Sequence, residues 1–154
     1  MKLWIPVMFA LIAAQQPSMV EIRRLYMSSA LEKDSLVKLT AIINSANADG
    51  QPILNCYAGA AQIIAAKYTQ NPLTRFSDFK KGKLMMENAI AKDSGSFEMR
   101  YLRLSIQCNL PSFLNYHAEM TADQLFLKTN LDNQSDKQLR EMAEILLNTN
   151  KLKN

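Results

Sequence analysis

The segment from residue 97 to residue 108, FEMRYLRLSIQC, contains the side chains best suited to hold an anion. Arg100, Arg103 and Gln107 are three and four residues apart, so in a helix they lie along one face. Guanidinium groups bind carboxylates through paired hydrogen bonds, and a buried arginine is costly without such a partner. Two interpretations are therefore open: the arginines bridge to acidic residues on a neighbouring helix or loop, or they line a binding groove.

The second interpretation predicts a groove on the concave side of a helical array. In this groove the arginines would hold an anionic group or the C-terminus of a partner protein. Helical-repeat domains bind peptides in this way, so the prediction rests on analogy. The predicted groove residues are Tyr57, Lys67, Tyr68, Arg100, Arg103 and Gln107.

Catalytic, metal and cofactor chemistry finds little support in the sequence. His117 is the sole histidine, and no base accompanies the serine, threonine or cysteine side chains as nucleophile catalysis requires. Glycine-rich nucleotide-binding patterns are absent. Cys56 and Cys108 cannot close a zinc site without histidines, and both a disulfide and two buried thiols remain open. We predict no catalytic residue, no metal site and no cofactor.

The same segment must first be assigned a secondary structure. Strict alternation from Leu102 to Cys108 is typical of a half-buried strand. In a helix, however, Tyr101 and Leu104 fall on one apolar stripe and Leu102 and Ile106 on a nearly opposite one. We therefore predict a helix packed on both sides.

Composition and periodicity predict an all-α fold for the 154-residue chain, which contains only 4 glycines. About seven helices, paired as antiparallel hairpins in a short α-solenoid, form one domain at 15–147, followed by a polar tail at 148–154. The predicted helices are 20–31, a second starting at Asp34 or Ser35, 53–68, a fourth capped by Thr74, 97–108, 118–129, and a seventh starting at Ser135. Small residues at 58–61 should let a neighbouring helix approach the third closely.

The N-terminus resembles a secretory signal. One lysine precedes an apolar run of 12 residues, Leu3 to Ala14, which is too short to span a bilayer. We predict cleavage after Ala14 and a periplasmic or secreted protein without a stable membrane span. The alternative is an N-terminal helix packed on the domain.

The charge pattern argues against nucleic-acid binding. The net charge of the chain is +4, and the nearest basic cluster, Arg75, Lys80, Lys81 and Lys83, is interrupted by Phe76, Asp78 and Phe79. A solvated helix face explains this cluster better, and we predict no nucleic-acid partner.

Two resemblances bear on the fold. The spacing Gly82-x3-Met86-x2-Ala89, followed by Asp93-Ser94, is similar to the second helix of a tetratricopeptide repeat, and Leu54-x2-Tyr57-Ala58 is similar to its first helix. Ser94 stands where that family usually has proline. The resemblance implies helical hairpins.

The second resemblance covers most of the chain. The apolar N-terminus together with YAGAAQIIAAKY (57–68), FKKGKLMMENAIAKD (79–93) and FEMRYLRLSIQCNLPSFLNY (97–116) resembles an uncharacterised family of small exported helical proteins of Bacteroidota-type bacteria. It implies a helical fold and export, and no activity.

These features together predict an exported, non-catalytic module that binds another protein or peptide or acts as a scaffold. The alternative is a small enzyme or ligand carrier with a pocket among helices three to five.

Overall fold

The protein is described by a computed structural model that covers residues 17–46 and 50–151. These residues form seven α-helices and one 3-10 turn, and no strand, which confirms the predicted all-α fold of about seven helices. The helices are α1 (Met19–Ser29), α2 (Lys33–Ser45), α3 (Pro52–Lys67), α4 (Pro72–Lys92), α5 (Phe97–Gln107), α6 (Met120–Asn130) and α7 (Lys137–Lys151), and the 3-10 turn is Ser112–Leu114. The predicted signal segment 1–14 lies outside the described residues.

Several helix starts differ from the predicted ones. The cap of α4 is Asn71, whose side chain accepts the backbone N–H groups of Leu73 and Thr74, so the predicted cap Thr74 was wrong. The predicted cap was misplaced because Pro72 is compatible with the first helical position and does not delay the helix. Helix α2 starts at Lys33, slightly before the predicted cap residues.

The last two helices also differ at their ends. Helix α6 starts at Met120 rather than at 118. At the start of α7 the carboxylate of Asp136, and not the hydroxyl of Ser135, accepts the backbone N–H of Leu139 at 3.1 Å. Helix α7 then continues to Lys151, through the first part of the predicted polar tail. Residues 152–154 lie outside the described residues.

Helices α3 and α4 approach each other at two glycines. A Cβ atom added to Gly59 would lie 2.7 Å from the carbonyl oxygen of Gly82, and one added to Gly82 would lie 2.5 Å from the carbonyl oxygen of Gly59. Gly59 also faces Met86 while Gly82 faces Ile63, so the two helices are antiparallel. The predicted close approach at residues 58–61 is confirmed, and Gly59 is its contact point.

Helix α5 lies at the centre of the molecule and contacts α3, α4, α6 and α7. Leu102 and Leu104, from its two apolar stripes, are both buried, as are Tyr101 and Ile106. The prediction of a helix packed on both sides is confirmed. Because polar residues occupy the gaps between the stripes, Arg103 and Gln107 are buried with them.

No helix in residues 17–46 and 50–151 combines the length and apolar character needed to cross a membrane.

Candidate functional site

Arg103 forms the centre of a buried ionic cluster. Its Nε and Nη2 donate to the two carboxylate oxygens of Asp123 on α6 at 2.7 and 2.8 Å. Its Nη1 donates to Oε2 of Glu87 on α4 at 2.8 Å. Burial alone would lower the pKa of Arg103, but the hydrogen bonds and the charges of Asp123 and Glu87 outweigh it and raise that pKa. Arg103 therefore stays charged and joins α5 to α4 and α6.

Arg100 lies one turn earlier on α5 and shares the same acid. Its Nη1 donates to Oδ1 of Asp123 at 3.0 Å, its Nε donates to the carbonyl of Ser94 at 2.8 Å, and its guanidinium lies 4.4 Å from the ring centre of Phe126. Asp123 is fully buried, so two arginines neutralise one desolvated carboxylate. Of the two interpretations of these arginines, ion pairs to acids on neighbouring helices are observed.

Tyr116 extends this cluster into the segment after α5. Its hydroxyl makes a short hydrogen bond to Oε1 of Glu87, and the ammonium of Lys83 lies 4.7 Å from its ring centre. Burial and the neighbouring Glu87 raise the pKa of Tyr116, so the phenol remains the donor. The loop between α5 and α6 is thereby anchored to α4.

A second ionic cluster lies near the other end of α5. Arg23 on α1 binds both carboxylate oxygens of Glu98 at 2.7 and 2.8 Å, and its Nη1 donates to Asp136 at 2.7 Å. Tyr57 on α3 donates to Glu98 at 2.6 Å. The hydrogen bond to Glu98 raises the pKa of Arg23 despite burial. This cluster joins α1, α3, α5 and the start of α7.

Gln107, the last residue on the polar face of α5, differs from the two arginines because its side chain has no hydrogen-bond partner among the described residues. It is 1% exposed, and neither its amide nitrogen nor its amide oxygen has a hydrogen-bond partner among the described residues. A buried amide without partners is destabilising.

The six predicted groove residues are divided between the interior and the surface of the molecule. Tyr57, Arg103 and Gln107 are buried between packed helices, whereas the side chain of Arg100 is partly exposed. Tyr68 and Lys67 instead lie at the end of α1, where the Tyr68 hydroxyl donates to the carbonyl of Ser29 at 2.8 Å. Lys67 Nζ donates to the carbonyl of Ala30 at 2.6 Å.

Lys67 does line a surface depression, which sequence reasoning did not identify as a whole. The first cleft, of about 460 Å³, lies between the last turns of α1, α3 and the end of α5. The second cleft, of about 510 Å³, lies between the end of α3, the first turns of α4 and the segment after α5. Both clefts share Ile63, Lys67, Asn109 and Leu110, so they form one continuous apolar surface.

We call this surface, with its exposed rim, the end surface. Its rim contains Leu31, which is 85% exposed, Phe113, which is 81% exposed, and Met27 and Phe76, which are about half exposed. Periodicity identifies residues that face the core within a helix. It did not identify the rim residues, because they lie at helix ends and in turns. The available signal was a large apolar residue directly after a helix or in a Pro-containing turn.

The remaining candidate reactive side chains, Cys56, Cys108 and His117, line neither cleft. Cys56 and Cys108 are both thiols, and burial raises the pKa of Cys56. A ring nitrogen of His117 lies 3.3 Å from the carbonyl oxygen of Leu110. Within the described residues no three His, Cys, Asp or Glu side chains are grouped to hold a metal ion.

Comparisons of the chain with protein-family models, with curated proteins and with solved structures find no match. The resemblances to the tetratricopeptide repeat and to exported Bacteroidota-type proteins therefore stay predictions, as does the solenoid arrangement.

Proposed function

We propose that the protein is a non-catalytic interaction module that binds an apolar segment of a partner protein at the end surface. The observation that carries this proposal is the rim: large apolar side chains at Leu31 and Phe113 stay in water beside two adjoining clefts. Apolar patches of this kind mark binding surfaces more often than isolated exposed residues do.

The rim is also held in place, which favours binding over random exposure. Phe113 belongs to the 3-10 turn, which Asn115 closes in the left-handed conformation with φ 49° while donating to the carbonyl of Ser112 at 3.1 Å. Tyr116 ties the following residues to Glu87. Because little ordering entropy remains to be lost, an aromatic anchor on such a turn contributes more to affinity than one on a loose loop.

The two buried ionic clusters are better suited to holding the helices together than to catalysis. Asp123, Glu98 and Glu87 each accept hydrogen bonds from arginine or tyrosine side chains. A carboxylate engaged in this way is poorly placed to act as a general base, so the interior is suited to holding the helices together.

The test compares peptide binding by the native chain with that of a surface variant. A random dodecapeptide phage library should be enriched by the native chain and not by the variant Leu31→Ser/Phe113→Ser. A control variant, Leu125→Ser, changes a residue on α6 that is 65% exposed and lines neither cleft. Equal enrichment by the native chain and the surface variant, or none by either, would reject the proposal.

A carrier of a small apolar ligand is the second candidate, because the volume of the second cleft, about 510 Å³, lies within the range of small-molecule pockets. The dye Nile red separates the two candidates. A carrier should bind it with one-to-one stoichiometry and lose it on Leu110→Asp, whereas a peptide-binding surface should bind it weakly.

We also propose that the protein is exported to the periplasm or secreted. Support comes from the sequence of residues 1–14 alone, where a lysine and a short apolar run end in Ala13 and Ala14. N-terminal sequencing of the protein from its native host should begin near Gln15. An intact Met1 in a soluble cytoplasmic fraction would reject export.

A further inference from the structure

We propose that the partner segment is acidic as well as apolar, with carboxylates placed against Lys67 and Arg75. This inference rests on the proposed function, since it specifies the chemistry of the segment that the end surface binds. The described residues that line the two clefts include two with charged side chains, and both are cations: Lys67, shared by the clefts, and Arg75, in the second.

Both cations are positioned by backbone carbonyls rather than by acids. Lys67 Nζ uses one of its three N–H bonds on the carbonyl of Ala30, at 2.6 Å. Arg75 directs its Nε and Nη2 to the carbonyl of Thr69, at 3.3 and 2.8 Å. No carboxylate among the described residues forms an ion pair with either side chain. Neither positive charge is therefore offset by an ion pair among these residues, and each side chain keeps N–H donors for an incoming group.

Three backbone carbonyls near the first cleft already accept side-chain donors, which makes this cleft less suited to a basic partner. Three helices end there, and the free carbonyls of a helix end normally attract cations. Here the carbonyl of Ser29 accepts from Tyr68 and that of Ala30 accepts from Lys67. The carbonyl of Ser105 accepts from the side chain of Asn109 at 2.8 Å. A cationic side chain would meet occupied carbonyls and the ammonium of Lys67.

A third cation lies beside the second cleft. Lys80 lies over the ring of Phe76, 5.7 Å from its centre, and Phe76 lines the cleft. The first residue of α4, Pro72, and the last residue of α3, Lys67, both line this cleft, so the opposite dipole ends of the two helices offset each other there. An acidic segment complements Lys67, Arg75 and Lys80, and apolar side chains between its carboxylates would enter the two clefts.

The test selects peptides with the full chain and reverses the charge of the surface. The native chain should enrich dodecapeptides that are apolar and contain more Asp and Glu than the unselected library. The variant Lys67→Glu/Arg75→Glu should enrich apolar peptides with excess Lys and Arg instead. The control Lys38→Glu, at an exposed position on α2 that lines neither cleft, should keep the acidic preference.

Fluorescence anisotropy on the most enriched peptide gives the magnitude. Two partly exposed charge pairs predict a rise in Kd of about 5- to 10-fold in Lys67→Gln/Arg75→Gln. The Kd of the native complex should also increase with salt, while that of the neutralised variant should change less.

The outcomes separate this inference from the proposed function. Enrichment of apolar peptides without an acidic excess, or the same peptides selected after charge reversal, overturns the acidic partner and leaves an apolar binding surface. If the native chain enriches no more peptides than Leu31→Ser/Phe113→Ser does, both the acidic partner and the proposed function are overturned. A dimer in sedimentation equilibrium that is lost in Phe113→Ser would mean that a second copy of this chain occupies the surface, which also overturns the acidic partner.

Discussion

Replacement of Arg103 by methionine should lower the free energy of unfolding by about 3–5 kcal/mol, the range measured when one member of a buried ion pair is removed. Arg103 donates three hydrogen bonds to carboxylates, two to Asp123 and one to Glu87, all at 2.7–2.8 Å. Methionine retains an unbranched side chain and a high helix propensity, so packing and helix formation change little. The expected loss therefore comes from the stranded acids.

The two acids contribute unequally. The side chain of Glu87 is 35% exposed, so water can hydrate it after the substitution. The side chain of Asp123 is 0% exposed, and Arg100, at 3.0 Å, would be the one arginine still paired with it. Most of the loss should therefore arise at Asp123. For a chain of this size the melting temperature should fall by roughly 10 °C.

Urea denaturation and thermal melting followed by helical circular dichroism measure the effect. The double variant Arg103→Met/Asp123→Leu removes the stranded acid and should recover a large part of the stability lost in Arg103→Met. The control Arg24→Met breaks an exposed 3.9 Å pair with Glu21 and should change stability by less than about 1 kcal/mol. Two results would refute the structural role of Arg103. One is an Arg103→Met variant as stable as the native chain. The other is a double variant whose loss of unfolding free energy exceeds the sum of the losses in Arg103→Met and Asp123→Leu.

Three further predictions follow from other contacts. Gly82→Ala should lower the free energy of unfolding by about 1–3 kcal/mol despite the higher helix propensity of alanine, because the added Cβ would lie 2.5 Å from a backbone oxygen. Gly95→Ala is the control, since the nearest atom to its added Cβ lies 3.9 Å away. Equal stability of the two variants would contradict the close approach of α3 and α4. Gln107→Met should raise the unfolding free energy by about 1–3 kcal/mol, since an amide without partners is removed at constant length, and a lower urea midpoint would contradict this. Asp136→Asn keeps a capping oxygen but loses the charge beside Arg23. The backbone N–H of Leu139, followed by Arg23, lowers the pKa of Asp136, so the carboxylate stabilises the fold above its unfolded pKa of about 4 and this contribution disappears as pH falls through the folded value. The variant should be less stable than the native chain at pH 7, and this difference should shrink as pH falls; a difference that stays constant with pH would contradict the linkage.

The sequence predicted the helices well because their signals are local. Leu102 and Leu104 belong to opposite stripes of α5 as a consequence of the 100° step per residue, and both are buried as expected. The run of small residues around Gly59 likewise predicted a close helix contact, since only small side chains allow it. The start of α4 was misplaced because Pro72 fits the first helical position after the cap Asn71, and at the start of α7 the neighbouring residues Ser135 and Asp136 could each cap the helix.

The partners of the buried arginines were decided by the tertiary structure alone. The sequence showed that Arg103 needs an acid, but the 14 acidic residues of the chain are scattered, and the choice of Asp123 and Glu87 depends on how α4 and α6 pack against α5. Packing likewise buried Gln107, although Arg100 on the same face remains partly exposed. The end surface has the same origin: Leu31 and Phe113 lie in separate segments, and only the meeting of helix ends places them beside the same pair of clefts. Periodicity specifies which face of a helix is apolar, whereas the positions of helices relative to one another decide which charges pair and which apolar side chains stay in water.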